Sequence, residues 1–282
     1  MSTTKTTQFQ LRGADFEPLR GEVRTAGSGV GRPVVVICHG FKGFKNWGFF
    51  PKLAERLARA GMTAVSFNFS SSGVGPDGVS FTEGERFARG TYSGDLRELA
   101  TVVQALARGN LVPGLPTASE YGLFGHSRGG GIAILHAARH PSVRALVTWA
   151  AIARASRWNG ETVARWRRDR KLDVVNTRTG TVLPLRTDLL EDIDRLGDAL
   201  DPVSAAARVK ANWLLVHGSD DESVPIAEAR ELHGAASHEM ARLKVVEHGT
   251  HTLGAQHPWK GYSAELREAM DATVGWFVRY LT

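Results

Sequence analysis

Apolar positions recur along this chain in two rhythms, one of strands and one of helices. Val34–Cys38 is an unbroken apolar, largely β-branched run, the pattern of a strand covered on both faces. Phe50–Ala60 follows with Leu53, Leu57 and Ala60 on one helical stripe, and Gly61 ends it. Thr63–Phe69 reads as a second buried strand, and the glycine- and serine-rich stretch Ser70–Gly90 as a long loop. In Asp95–Arg108, Leu96, Leu99, Val103 and Leu106 return at three- and four-residue steps and predict an amphipathic helix. The strand Tyr121–Phe124 then leads through Gly125-His126-Ser127-Arg128-Gly129 into an apolar helix, Gly130–Arg139. Val143–Trp149, Trp213–Val216 and Leu243–Val246 read as strands, with helices from about Ile226 and over Ala264–Leu281. Two short antiparallel strands, Phe9–Arg12 and Gly21–Thr25, precede all of these.

Strands alternating with helices predict a mostly parallel sheet between helical layers, an α/β fold. Residues 151–211 break the alternation. They hold a hairpin pattern (Leu172–Val175, a Thr177–Gly180 turn, Thr181–Leu185) and most of the clustered charge. The expected organisation is one core from residues 1–150 and 212–282, with residues 151–211 inserted over the edge of the sheet.

Composition narrows the class. Of 282 residues 42% are hydrophobic and 23% charged, an ordinary globular balance. One cysteine excludes an internal disulfide and a cysteine-based metal cluster. The longest apolar run falls far short of the ~18–20 residues of a membrane span, and the first thirty residues lack the apolar stretch of a secretory signal. A cytoplasmic protein without membrane contact is the expectation. The net charge of +6 raises the question of nucleic acid. Its arginines are dispersed apart from the stretch Arg154 to Lys171, and no zinc-finger, RNP-like or helix-turn-helix pattern accompanies them, so no nucleic-acid partner is expected. Gly27-x-Gly29-x-Gly31 precedes a strand rather than following one and does not fit a dinucleotide fingerprint.

The chemistry-bearing segments sit after strands. Gly125-x-Ser127-x-Gly129 follows a buried strand and opens a helix, the context in which a serine stands exposed on a sharp turn as a nucleophile. Side chains at either glycine would crowd such a turn. A serine hydroxyl needs a base. After the last predicted strand come His248 and His251, of which His251, beyond Gly249, reaches back over the sheet edge. The base needs a carboxylate to orient it. Asp220, Asp221 and Glu222 follow the preceding strand, and position alone leaves the choice among them open. After Val34–Cys38 comes His39-Gly40-Phe41, a turn whose Phe41 amide, with that of Arg128, is placed to meet a developing oxyanion.

Taken together, His39-Gly40-Phe41, Gly125-x-Ser127-x-Gly129, His217-Gly218-x-x-Asp221-x-x-Val224-Pro225 and Gly249-x-His251 resemble the α/β-hydrolase superfamily over nearly the whole chain. The resemblance is strongest to bacterial carboxylesterases of the cinnamoyl/feruloyl esterase and serine aminopeptidase-like group. It implies an α/β-hydrolase fold with a lid insertion after the sixth strand. It selects Asp221 as the third member beside Ser127 and His251, and implies backbone oxyanion donors at Phe41 and Arg128. The activity it implies is cleavage of a small-molecule carboxylic ester through an acyl-enzyme, without cofactor or metal, by a monomer or homodimer. A peptidase or thioesterase would use the same groups. A non-catalytic binding protein of this fold is the alternative of another class, although such proteins usually lose a catalytic side chain and this chain keeps all three.

The family pattern of an acidic residue and an arginine-glycine pair after the second buried strand is replaced here by Phe67-Asn68-Phe69-Ser70-Ser71-Ser72-Gly73. Arg128 stands where a smaller side chain is common, with a guanidinium able to meet loop carboxylates or an anionic substrate. Trp149 and Trp158 are expected to wall the cleft. His248-x-x-His251 with His257 lacks the partners of a metal site.

Overall fold

The computed structural model describes residues 3–27, 32–176, 180–237 and 239–282. The run Gly27-x-Gly29-x-Gly31 and the hairpin turn at 177–179 fall wholly or largely outside these residues. Strands β1 (Thr4–Arg12) and β2 (Pro18–Ala26) pair antiparallel, from Thr4 opposite Ala26 to Arg12 opposite Pro18. There follow β3 (Val34–Cys38), α1 (Phe50–Arg59), β4 (Thr63–Phe67), a short α2 (Gly84–Ala88) and α3 (Tyr92–Ala107). Next come β5 (Tyr121–His126), α4 (Arg128–Ala137) and β6 (Val143–Trp149). Between β6 and the next core strand lie α5 (Gly160–Asp169), the hairpin β7 (Lys171–Val175) and β8 (Val182–Arg186), α6 (Asp188–Leu196) and α7 (Pro202–Ala206). The chain closes with β9 (Asn212–Gly218), α8 (Ile226–Ala235), β10 (Ala241–Val246) and α9 (Ala264–Leu281).

One eight-stranded sheet runs in the order β1-β2-β4-β3-β5-β6-β9-β10, parallel from β4 to β10 and antiparallel only where β2 meets β1 and β4. The unbroken apolar run of β3 has the physical basis expected. Val34, Val36 and Cys38 pack into one core with residues of α3, α4 and α8, while Val35 and Ile37 pack into the other with α1 and α9. Alternate side chains feed opposite layers, so no polar position is tolerated. The fold is that of the α/β-hydrolases.

Two expectations are corrected. Ser70–Gly90 is not a bare loop: it holds a 3-10 turn over Ser70–Ser72 and the helix α2, whose Phe87 is buried against the Phe41 ring. Helix α3 begins three residues earlier than the spacing predicts, because Thr91 caps it by accepting from Gly94 N at 3.0 Å. The segment between β6 and β9 does not build a core of its own. Its Trp166, Leu183, Leu185 and Leu189 join the layer that holds α3 and α4. Its clustered arginines are largely paired, Arg154 with Glu231 and Arg167 with Asp194. Among the described residues no helix is long and apolar enough to cross a membrane.

Candidate active site

Ser127 sits between β5 and α4 with φ 56° and ψ −121°, a conformation that costs free energy in any residue but glycine. Its surroundings hold it there: Ser127 N donates to Trp149 O at 2.9 Å, and its own carbonyl accepts from Gly130 N at 2.9 Å and Gly131 N at 3.1 Å. The flanking glycines are steric necessities. A Cβ on Gly125 would lie 2.3 Å from the carbonyl oxygen of Gly129, and one on Gly129 would lie 2.3 Å from that of His39. The turn closes only where both side chains are missing.

Three strand ends converge on this turn. His251, in the loop after β10, approaches Ser127 Oγ through Nε2 at 3.1 Å. Its Nδ1 lies 2.9 Å from Asp221 Oδ2, in the loop after β9. A carboxylate only accepts, so the proton belongs on Nδ1 and Nε2 is left to accept from the serine. Asp221 is held from both sides: Oδ1 accepts from Ser223 N and Val224 N, each at 2.9 Å, and its side chain is fully buried. Burial alone would raise this carboxyl. Hydrogen bonds from His217 and His251, the charge of His251 and the Val224 amide outweigh burial and hold it well below the usual carboxylate range. The two neighbouring acids stand apart. Asp220 is exposed, accepts from Ser219 Oγ and lies 3.6 Å from the exposed His248; Glu222 is exposed.

The turn Gly40–Gly43 faces Ser127 from β3. Buried His39 fixes it, lying 2.9 Å from Gly40 O through Nδ1 and accepting from Phe69 N through Nε2 at 3.1 Å. Burial pushes this imidazole down to about 4, so it stays neutral and keeps the Nδ1–H that donates to the carbonyl. Among the described residues neither the Phe41 nor the Arg128 amide meets a backbone acceptor. Both residues line a cavity of about 320 Å³ in front of Ser127, with Trp47, Phe50, Tyr92 and Trp158 as aromatic walls.

Of the two tryptophans expected in the cleft, Trp158 lines it and Trp149 does not. Trp149 is 1% exposed, packs on Phe49 and Phe124 and donates from Nε1 to Thr273 Oγ1 at 2.8 Å. Strand parity explains the difference: Ala145, Val147 and Trp149 share the face of β6 that turns to α1 and α9. The Arg128 guanidinium meets not a loop acid but Asp95, inside α3, with Nη2 at 2.8 Å, and lies 4.2 Å from the Tyr92 ring centre. Burial works against its charge and Asp95 more than offsets this, so the guanidinium is held firmly protonated. Sequence reasoning also missed His126, buried, whose Nε2–H donates to the His251 carbonyl at 2.9 Å. Arg157, one of the clustered arginines of the insertion, binds Glu228 and donates to Ser223 O at 2.9 Å. His257 packs against Phe44 and Trp47 and accepts from Gly48 N.

A serine on a strained strand-to-helix turn, with an imidazole and a carboxylate delivered by two later strands of a parallel sheet, marks the α/β-hydrolase class. The sequence matches the family model described as serine aminopeptidase, S33, over residues 30–178, more than half of the chain, and the chain belongs to this family. No curated protein sequence matches the chain significantly. Among solved structures it is similar to Est1E from Butyrivibrio proteoclasticus with ferulic acid bound, at 19% identity and a TM-score of 0.72, covering 95% of this chain and 98% of that one. The esterase domain of a Rhodothermus marinus protein aligns at 19% identity and a TM-score of 0.64, over 99% of this chain and 100% of the other. Paleococcus ferrophilus monoacylglycerol lipase aligns at 18% identity and a TM-score of 0.65, over 99% of each chain. At such identities the likeness is one of fold.

Proposed function

We propose that the protein is a serine hydrolase of carboxylic esters, with Ser127 as nucleophile, His251 as general base and acid, and Asp221 as the group that orients it. The observation that carries this reading is the unbroken chain from Ser127 Oγ to His251 Nε2 at 3.1 Å and from His251 Nδ1 to Asp221 Oδ2 at 2.9 Å. Ser127 Oγ attacks the acyl carbon as Nε2 takes its proton. The negative charge gathering on the carbonyl oxygen is met by the Phe41 and Arg128 amides, donors that hold fixed positions and need no reorganisation. The C–O bond to the alcohol then breaks, and the alcohol leaves with the proton from Nε2. Water attacks the acyl-enzyme, giving its proton to the same nitrogen, and the acid departs as Ser127 recovers its hydrogen. No step calls for a cofactor or a metal.

Residues 151–211 serve in this reading as the lid of the cleft, since Trp158 and Asn176 from that segment line the cavity. The esterase neighbours of the same fold are consistent with ester chemistry over the amide chemistry that the family description names. The test is a panel of 4-nitrophenyl esters, acyl thioesters and aminoacyl anilides run beside fluorophosphonate labelling. Ester turnover and labelling, both lost in Ser127→Ala, are the expected result. Labelling that survives in Ser127→Ala, or absence of turnover of every ester, overturns the reading.

A further inference from the structure

The charged side chains among the described residues that line the cavity are all cationic. Among its described lining residues are Lys42, Arg128 and Arg157, and no aspartate or glutamate. The carboxylates that pair with the two arginines lie behind them. Asp95 is 4% exposed against 11% for Arg128, and Glu228 11% against 27% for Arg157. Each acid is held in that rear position by a second bond: Asp95 accepts from Ser71 Oγ at 2.8 Å, and Glu228 from Ala153 N at 2.7 Å. Arg157 is anchored in turn by Ser223 O at 2.9 Å. Each pair is therefore a fixed dipole with its positive end toward the substrate. Lys42, on the turn that carries Phe41, donates to the carbonyl of Val175 at 3.0 Å and places a third cationic side chain on the same wall. The Asp221 carboxylate does not line the cavity and stands beyond His251, behind the imidazole rather than beside the three cations.

We propose that this site, on the esterase reading above, prefers esters bearing a negative charge away from the scissile bond and rejects substrates bearing an ammonium. A carboxylate lodged beside a partly desolvated guanidinium gains attraction that water would largely screen away, whereas an ammonium there is repelled, with no acid among the described lining residues to receive it. An aminopeptidase must hold the α-ammonium of its substrate, so the same wall that favours an anion argues against aminoacyl substrates. The selectivity belongs to residues outside the triad, and it acts on binding.

Two rigid, size-matched probe sets test the charge. One is methyl benzoate with a para methyl, carboxylate or aminomethyl group; the other is benzyl acetate with the same three substituents. Each probe is scored by its inhibition of 4-nitrophenyl butyrate hydrolysis, whether or not it is itself turned over. In low salt the anion should bind at least about tenfold more tightly than the cation in one set or both, with the neutral probe between them. The ratio should shrink in 0.5 M NaCl, on the order of the screening expected for partly exposed charges. It should narrow again in Lys42→Gln, and the salt arm stands should that variant fold poorly. Absence of Ser127-dependent butyrate hydrolysis overturns the esterase reading and this inference with it. Butyrate hydrolysis with equal or reversed inhibition in both sets, or no inhibition by any probe, overturns the charge preference alone.

Discussion

Replacing Asp221 by asparagine changes one atom and should disable the site through a tautomer. In the wild type, Oδ1 accepts from two backbone amides at 2.9 Å and Oδ2 accepts from His251 Nδ1 at 2.9 Å. An asparagine has one oxygen to satisfy both sides. Turning its amide nitrogen toward Ser223 and Val224 would leave two buried N–H groups unpaired, at about 1–3 kcal/mol each. Keeping the oxygen on those amides instead points an NH₂ at His251. The imidazole then lowers its energy by moving the proton from Nδ1 to Nε2, which costs far less than two orphaned amides. That proton faces Ser127 Oγ at 3.1 Å, so the base now donates where it must accept. Asparagine at the equivalent position of a serine protease lowers kcat by about 10⁴ for this reason, so a loss of about 10³–10⁴, or about 4–5.5 kcal/mol of barrier, is expected here. The assay is steady-state hydrolysis of 4-nitrophenyl butyrate with the rate of fluorophosphonate labelling, beside a thermal melt to show that Asp221→Asn folds. Both rates should fall together with KM little changed. Asp220→Asn, which alters an exposed side chain bonded to Ser219, should stay within about twofold. An Asp221→Asn enzyme that keeps a tenth of the wild-type kcat would refute the tautomer argument.

The remaining expectations concern stability and the supporting residues. Because the folded carboxyl of Asp221 lies below its unfolded value of about 3.9, its contribution to stability is present above that pH and drains away on acidification below it. Thermal melts taken downward from pH 5 should therefore fall less steeply for Asp221→Asn than for the wild type; equal slopes refute this. Gly125→Ala drives a Cβ to 2.3 Å from a backbone oxygen and should cost more than about 4 kcal/mol. Gly275→Ala, in the middle of α9 with open space around it, should stabilise by about 0.5–1 kcal/mol in urea titration. Trp149→Ala should cost about 3–5 kcal/mol of folding stability, whereas Trp158→Ala should appear chiefly as a raised KM, and a reversal of the two would return Trp149 to the cleft. His126→Ala should lower kcat about tenfold by freeing the His251 carbonyl, with His126→Gln recovering most of it by presenting an N–H at the same reach.

What was legible in the sequence was whatever the backbone imposes locally. The runs of β3, β6 and α9 announced their own ends, since a strand fed from two faces admits no polar residue and a helix covered on one side repeats its stripe. Ser127 was legible because its turn demands glycine at 125 and 129 by direct collision. Asp221 was harder, because three consecutive acids differ only in which of them the loop turns inward, and that is decided by the amides of Ser223 and Val224. Trp149 was misread although the signal lay in the strand itself: it shares parity with Ala145 and Val147, and parity sends it to α1 and α9, away from the cleft. Asp95 shows the opposite case. Tyr92, Asp95, Leu99, Val102 and Leu106 form the buried stripe of α3, so an acid stood at an apolar position and asked for a buried cation. Which cation it meets is not written in local spacing. Arg128 lies thirty-three residues on, across a strand and a turn, and the two come together only when α3 packs beside α4. The pair then performs a task neither helix could perform alone. It fixes the side chain that follows Ser127 and turns its positive end to the cavity that Phe41 also lines.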